Sequence, residues 1–279
     1  MKLQDGTLGL SVFERSSLAG RVCLVVGGAG FLGREFCSAL SEAGGQVVVA
    51  DVATSAMAAD DGNEKLPFFD VDVSNDDGVK DCVASIVKQF GSIDVLLNCA
   101  AFTAYSNKEF REKFFAEFDE TDSQIWADVF NVNVGGIMRM CKHVAPVMMT
   151  QKKGSIINIG SDVGVIAPDQ RIYENDAGEK IVDFNIPASY SSSKSAVIHL
   201  TKHLAALWAQ DGIRVNCLSP AGVYRNHQAH FYQKLTRLIP MGRMAYADEF
   251  NPAIVFLASD ASSFMTGHNL VMDGGRTII

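Results

Sequence analysis

The chain has 279 residues, 48% of them apolar, and a formal net charge of -8 at pH 7. That length suits one α/β domain, and the apolar share supports a large core and excludes a disordered chain. The acidic balance argues against nucleic acid as a partner, because gripping phosphates needs a basic face. Small anions held locally by backbone amides are not excluded.

Residues 1–19 form a polar N-terminal extension without the continuous apolar stretch of a signal peptide. No apolar run reaches the roughly 18–20 residues that span a bilayer. The six cysteines are scattered, with no CxxC pair and no Cys/His cluster at ligand spacing. They read as buried thiols in a reducing cytoplasm, with no metal site. A cytoplasmic, soluble protein without membrane contact is expected.

From residue 22 onward, short β-branched runs alternate with helix-length segments. Strands are expected at 22–26, 47–50, 66–69, 93–97, 155–159, 213–218 and 270–272. Most are apolar throughout rather than alternating, as strands covered on both faces should be. The intervening segments carry helical periodicity, for example Val197, Leu200, Leu204, Leu207 and Trp208. The pattern predicts a single-domain Rossmann-type α/β fold, a doubly wound parallel sheet of about seven strands with helices on both faces.

Directly after the first strand comes GGAGFLG, with Gly27, Gly30 and Gly33 opening a helix. Glycines let such a turn tighten and let a pyrophosphate approach amides at a helix N-terminus, although a plain tight turn explains them equally well alone. Asp51 ends the second strand, at roughly the 20-residue spacing of a ribose-binding acid. A carboxylate there accepts the ribose hydroxyls of NAD and repels the additional phosphate of NADP, so NAD is the expected cofactor and NADP the less favoured one. The alternative is a solvated strand-end acid. Arg34, at the start of the helix, is the one nearby cation that favours NADP.

Two polar stretches, 102–124 and 167–188, and a third irregular segment, 222–245, follow strands four, five and six. All lie past the carboxyl ends of strands, where open α/β sheets bind ligands. The first two read as insert loops at the active-site edge, the third as a substrate lid. In YSSSK, Tyr190 and Lys194 stand at i and i+4, on one helical face. A free phenol has a pKa near 10. A positive charge roughly 4 Å away is worth about 4 kcal/mol at an effective dielectric near 20, enough to bring the phenol towards neutral pH. The competing reading is a polar first turn with Ser189 as cap and Lys194 in solvent.

Eight pieces in order resemble the short-chain dehydrogenase/reductase family over nearly the whole chain. They are the turn at 27–33, DV at Asp72 and Val73, LNCAA at 97–101, NVNVGG at 131–136, INIGSDVG at 157–164, YSSSK at 190–194, RVNCLSPAGV at 214–223 and TGHNLVMDGG at 266–275. The resemblance implies an NAD(P)-dependent oxidoreductase that interconverts a secondary alcohol and a ketone by hydride transfer. Tyr190 would be its general acid–base, Lys194 the partner and ribose ligand, Ser161 the carbonyl anchor, and Asn133 the support of a proton-relay water. The cofactor would lie against Gly27, Gly30, Phe31, Leu32 and Gly33, then Asp51, Val52, Asp72 and Val73. Asn98, Ala100, Tyr190, Lys194, Pro220, Gly222 and Val223 would complete its contacts. A homodimer or homotetramer paired through the helices after strands four and five is also implied.

The sequence departs from the family in places. The glycine spacing matches a longer, sugar-nucleotide-modifying branch, and Val26 and Ala101 replace the usual Thr and Gly. Ser161 and Tyr190 stand about twice as far apart as usual, with the 167–188 segment between them; a loop that leaves and returns to one edge need not separate the two side chains. APDQRIYEND, SPAGVYRN and PMGRM resemble a subgroup tied to carbohydrate metabolism, namely bacterial surface-glycan and nine-carbon sugar-acid pathways, including flagellin modification. Arg171 would then pair a sugar carboxylate, with Tyr173 and His227 as further substrate contacts, and Asp169, Glu174, Asn175, Arg225 and His230 nearby. The insert can equally serve packing. His199 and His203 at i, i+4 lack a third ligand and read as surface or interface residues; Phe114, Phe115 and Phe118 read as core or interface. A nucleotide-sugar epimerase or dehydratase with tightly held NAD is the alternative enzyme, and a non-catalytic dinucleotide sensor the alternative outside enzymes.

Overall fold

The structure is a computed structural model that describes residues 9–52, 66–102, 108–175, 177–180 and 185–279. Its strands are β1 (Val22–Val26), β2 (Gln46–Asp51), β3 (Phe68–Asp70), β4 (Val95–Asn98), β5 (Gly154–Ile159), β6 (Ile213–Pro220) and β7 (Asn269–Met272). They form one seven-stranded sheet in the order β3-β2-β1-β4-β5-β6-β7. Every pairing is parallel, for example Val25 beside Val49 on one side and Leu97 on the other. The order reverses between β1 and β4, and that switch point opens a crevice at the carboxyl end.

The described helices are α1 (Val12–Ser16), α2 (Phe31–Glu42), α3 (Asp76–Phe90), α4 (Lys108–Phe114), α5 (Ser123–Phe130), α6 (Gly136–Gln151), α7 (Ala188–Trp208), α8 (Ala229–Thr236) and α9 (Asn251–Ala258). Successive β1 residues face opposite layers. Val22, Leu24 and Val26 join a core with Val83 of α3, Val144 of α6 and Val197 of α7. Cys23 and Val25 join another with Phe36 of α2 and Ile254 of α9. This is why β1 is apolar at all five positions.

The stretches expected to be loops carry helical structure. Residues 102–124 contain α4 and a 3₁₀ turn, Phe118–Glu120. Phe114 lies against Ile125 and Val129 of α5, so burial of one aromatic face folds the segment. In 167–188, a 3₁₀ turn spans Gln170–Tyr173 and Glu174 bridges Lys180. Lys180 pairs with Glu117 and Asn185 donates to the Phe115 carbonyl, joining the two segments. Segment 222–245 holds α8, whose Phe231 and Leu235 pack with Ile172 and Tyr173. A cavity of about 330 Å³ lies between the first two segments, lined by Phe114, Ile125, Tyr173, Pro187 and Ser189 among others.

On α7, Val197, Leu204 and Trp208 are buried, whereas Leu207 is 59% exposed, so the apolar stripe of the sequence is wider than the core face. His199 and His203 are also exposed. Among the described residues no helix is long and apolar enough to cross a membrane, and no group of three His, Cys, Asp or Glu is placed to hold a metal.

Candidate active site

The crevice begins at the glycine turn. Gly27 has φ +79°, and a Cβ there would sit 2.5 Å from the Ala100 nitrogen; a Cβ on Gly33 would overlap the Gly27 carbonyl oxygen. Only glycines permit this approach of turn, helix and β4 end. Backbone bonds close the turn, Gly27 N–H to Ala50 O at 2.8 Å and Gly30 N–H to Gly27 O at 3.2 Å. Replacement of the family's Thr and Gly by Val26 and Ala101 therefore leaves it closed. Gly30 caps α2 without a side-chain bond. The first-turn amides of Phe31, Leu32 and Gly33 have no acceptor within the helix and face the crevice end, as an anion requires.

Asp51 accepts from the Ala29 amide at 3.0 Å through one oxygen and from Val52 at 2.7 Å through the other. The acid thus stands beside the turn, with lone pairs left over for ribose hydroxyls. Asp72 accepts from the Ser74 amide and is exposed, and Val73 is buried against Gly136. Glycine turn, terminal amides and strand-end acid fit a dinucleotide. Asn98 ends β4. Its amide donates to Asn158 Oδ1 at 2.9 Å, and Asn158 donates to Thr201, which ties β4, β5 and α7 together. At 3% exposure it is a sheet-binding side chain. Gly222 and Val223 are pinned beside Ala245, and Arg225 lies over the Phe31 ring at 4.2 Å, so segment 222–245 touches the glycine turn. Arg34 directs Nε to the Ala29 carbonyl.

The catalytic candidates converge on the first turns of α7. Pro187, not Ser189, occupies the N-cap, and Ser189 is buried. Lys194 is 3% exposed and donates to the Ile159 carbonyl at the end of β5 at 2.8 Å. Burial pushes its pKa down, opposed by nearby Cys99 and Cys217. Its Nζ stands 5.7 Å from the centre of the Tyr190 ring. A solvated lysine at a polar helix start is thereby ruled out. Tyr190 packs beside Phe114 and Val129.

The Ser161 loop is fastened to the same turns. Gly164 lies so close to Lys194 that a Cβ would meet its carbonyl carbon at 2.8 Å, and Ser195 donates to the Gly164 carbonyl. The 167–188 segment leaves after this attachment and returns at Pro187, so Ser161 stays at α7. Asn133 sits in a π-helical turn, Asn131–Gly135, between α5 and α6. Such bulges re-aim side chains and recur at functional sites. Its Oδ1 accepts from the Phe102 amide at 2.7 Å, and its Nδ2 donates to Ser193, which donates to the Tyr190 carbonyl. Ser193 is a residue the motif contained but did not single out; its place three after Tyr190 was the available signal.

The expected substrate residues fare differently. Arg171 is bound bidentately to Asp169, with Nε at 2.8 Å and Nη2 at 2.7 Å, and this bond holds the Asp169 carboxyl below its usual range. Its guanidinium is paired with Asp169 while the side chain stays 83% exposed. Tyr173 is 4% exposed and stacked on Phe231 at 5.5 Å, which anchors the insert to α8. His227 stands half-buried beside Phe231, its pKa lowered by burial and by Arg225.

Residues 28–277 match the family model described as enoyl-(acyl carrier protein) reductase. The chain is 33% identical to D-threitol dehydrogenase of Mycolicibacterium smegmatis, over 96% of this chain and 97% of the relative. The chain is a short-chain dehydrogenase/reductase. This dehydrogenase/reductase also superimposes on solved structures. One is a gluconate 5-dehydrogenase from Burkholderia cenocepacia in complex with NADP and tartrate, with TM-score 0.82, 28% identity, and 96% and 100% of the two chains covered. Another is a short chain dehydrogenase from Leptospira borgpetersenii with bound NAD+, with TM-score 0.81, 27% identity, and 99% and 100% covered. This short-chain dehydrogenase/reductase is an NAD(P)-dependent oxidoreductase, and the turn, the acid and the α7 cluster lie on the fold it shares with these relatives.

Proposed function

We propose that this enzyme interconverts a secondary alcohol and a ketone on a small polyol or sugar acid, with NAD preferred over NADP. The observation that carries it is the first two turns of α7. There Lys194, buried and fastened to β5, stands beside Tyr190, while the Asn133 turn bonds the adjacent Ser193 and the Ser161 loop the adjacent Ser195.

Nicotinamide would supply the hydride acceptor or donor when the dinucleotide is bound. Tyr190 takes the proton from the substrate hydroxyl in oxidation and returns it in reduction. The Lys194 ammonium favours the phenolate, since an adjacent positive charge stabilises the ionised form. Ser161 holds the substrate oxygen, and Asn133 fixes the segment through which protons exchange with solvent. Asp51 supports the NAD preference by its place beside the turn. The polyol reading draws on the names of the threitol and gluconate relatives; the surface-glycan subgroup finds no support among them.

The test is a panel of D-threitol, glycerol, gluconate and nucleotide sugars, followed at the NADH absorbance. Oxidation of a panel member is expected. Tyr190→Phe should reduce kcat by about 10³-fold, within the range of a lost acid–base group, with NAD affinity nearly intact. Substantial residual turnover would remove Tyr190 from its role. The glycine spacing favours one second reading, an epimerase or dehydratase. Nucleotide-sugar conversion without net NADH change would replace the first reading with it.

A further inference from the structure

Behind Ser161 lies a buried ion pair that the chemistry above does not use. Asp162 Oδ2 accepts from Arg276 Nη1 at 2.5 Å, with side-chain exposures of only 4% and 7%. The other oxygen, Oδ1, accepts from the Ser161 hydroxyl at 2.9 Å and from the Val163 amide at 2.8 Å. Arg276 comes from the segment after β7. Gly274 and Gly275, at φ +64° and +91°, turn that segment, and Asp273 holds the turn by accepting from the amides of Gly275 and Thr277. Beyond it Ile278 and Ile279 are 80% and 82% exposed, so apolar burial does not hold this end in place. The guanidinium is the group it inserts.

We propose that Arg276 is a positioning residue that acts through Asp162 to set the hydrogen bond of Ser161, an inference that rests on Ser161 being the oxygen anchor. A serine hydroxyl has one proton to donate. As the structure shows it, that proton is directed at Asp162, and only lone pairs remain for a ligand. To hold a substrate carbonyl, Ser161 must turn its O–H from Asp162 to the substrate oxygen. A bare buried carboxylate would keep the hydroxyl, because charge-assisted bonds are the stronger ones in a low dielectric. Arg276 draws the negative charge towards Oδ2 and weakens the hold of Oδ1. Ser161 is then a two-position donor, on Asp162 when the site is empty and on the substrate oxygen when it is filled. The proton stays on Oγ throughout, and no covalent bond changes.

A latch that merely fastened the segment after β7 would need both partners. A charge-setting pair needs only that Asp162 not be a bare anion. The experiment exploits that difference with steady-state kinetics on the panel substrate that wild type oxidises, together with NAD affinity and thermal unfolding. Arg276→Met should lower kcat about tenfold or more, the scale of one compromised oxygen-holding donor, with NAD affinity within about twofold. It also leaves a buried charge alone, which can cost the fold itself. The double variant D162N/R276M removes that charge while keeping an oxygen at Oδ1 for Ser161 and Val163. It should fold and regain kcat to within a few fold of wild type, and Arg276→Lys should retain most activity. In an S161A background, Arg276→Met should lower kcat no further. A folded D162N/R276M protein as slow as R276M, or effects of S161A and R276M that multiply, would overturn the proposal. An active S161A enzyme would instead remove Ser161 as anchor. A wild type inactive on the whole panel would remove the reading of the site and this inference with it.

Discussion

At the glycine turn the groups poised for a ligand are backbone amides plus one carboxylate, whereas around Tyr190 they are side chains gathered from the Asn133 turn, the end of β5 and α7. The first region is compact in sequence, and its geometry is enforced by absent side chains: a Cβ at Gly27 or Gly33 would enter backbone atoms. The second is spread over the chain and is enforced by bonds, Lys194 to Ile159, Asn133 to Ser193 and Ser195 to Gly164. A site made of backbone tolerates almost no substitution. One made of bonded side chains tolerates an insertion wherever the bonded residues stay together, as the 167–188 segment shows.

Three substitutions break or sharpen this contrast. Lys194→Met should have the largest effect, lowering kcat by about 10³-fold because the acid–base pair is lost. The same change should raise the melting temperature of the ligand-free protein by about 2–4 °C, the scale of 1 kcal/mol in a large domain, because a buried charge is replaced by an apolar chain. The sign follows from the lowered pKa of Lys194. Below its folded pKa the ammonium is buried at full cost; as pH rises from there towards the ordinary 10.5, the unfolded chain holds more protons and the cost fades. Unfolding followed against pH should show the advantage of the methionine variant shrinking as pH rises from that lowered folded pKa towards 10.5. A variant less stable at neutral pH would show that the Ile159 bond outweighs desolvation.

Gly33→Ala should follow, weakening NAD binding by about 100-fold, since the turn must open to admit a methyl and the amides lose their aim. Calorimetric titration with NAD measures it, and unchanged affinity would mean that the turn is not the pyrophosphate cradle. Asp51→Ala should be the mildest, shifting the NAD-to-NADP affinity ratio by roughly tenfold, a change worth 1.4 kcal/mol. An unaltered ratio would move cofactor selection to another residue.

The strands were legible because most are apolar on both sides, and the extra residues found at the ends of β2 and β6, Gln46, Asp51, Ser219 and Pro220, are types that hydropathy undercounts. The glycine turn was legible because its meaning is local. The Tyr190 helix was legible from spacing, but the burial of Lys194 was not, since polar neighbours such as Ser191 and Ser193 look the same in solvent or against a sheet. Tyr173 and Arg171 illustrate the limit. Polar side chains in a long insert suggest ligand contact, yet Phe231 and Asp169 were the nearer partners.

The sequence by itself determined the doubly wound sheet and the glycine turn with its strand-end acid, because hydrophobic periodicity and local backbone sterics translate short-range residue type directly. The Asn133, Ser161, Tyr190 and Lys194 set was named by the family resemblance of its motifs. Only the tertiary structure decided that Asn98 faces Asn158, that the insert packs on α8, and that Arg276 stands behind Ser161. Each is a contact between residues far apart in the chain. Which polar group meets which is fixed by the cost of burying it unpaired, and that cost exists only once the layers have closed.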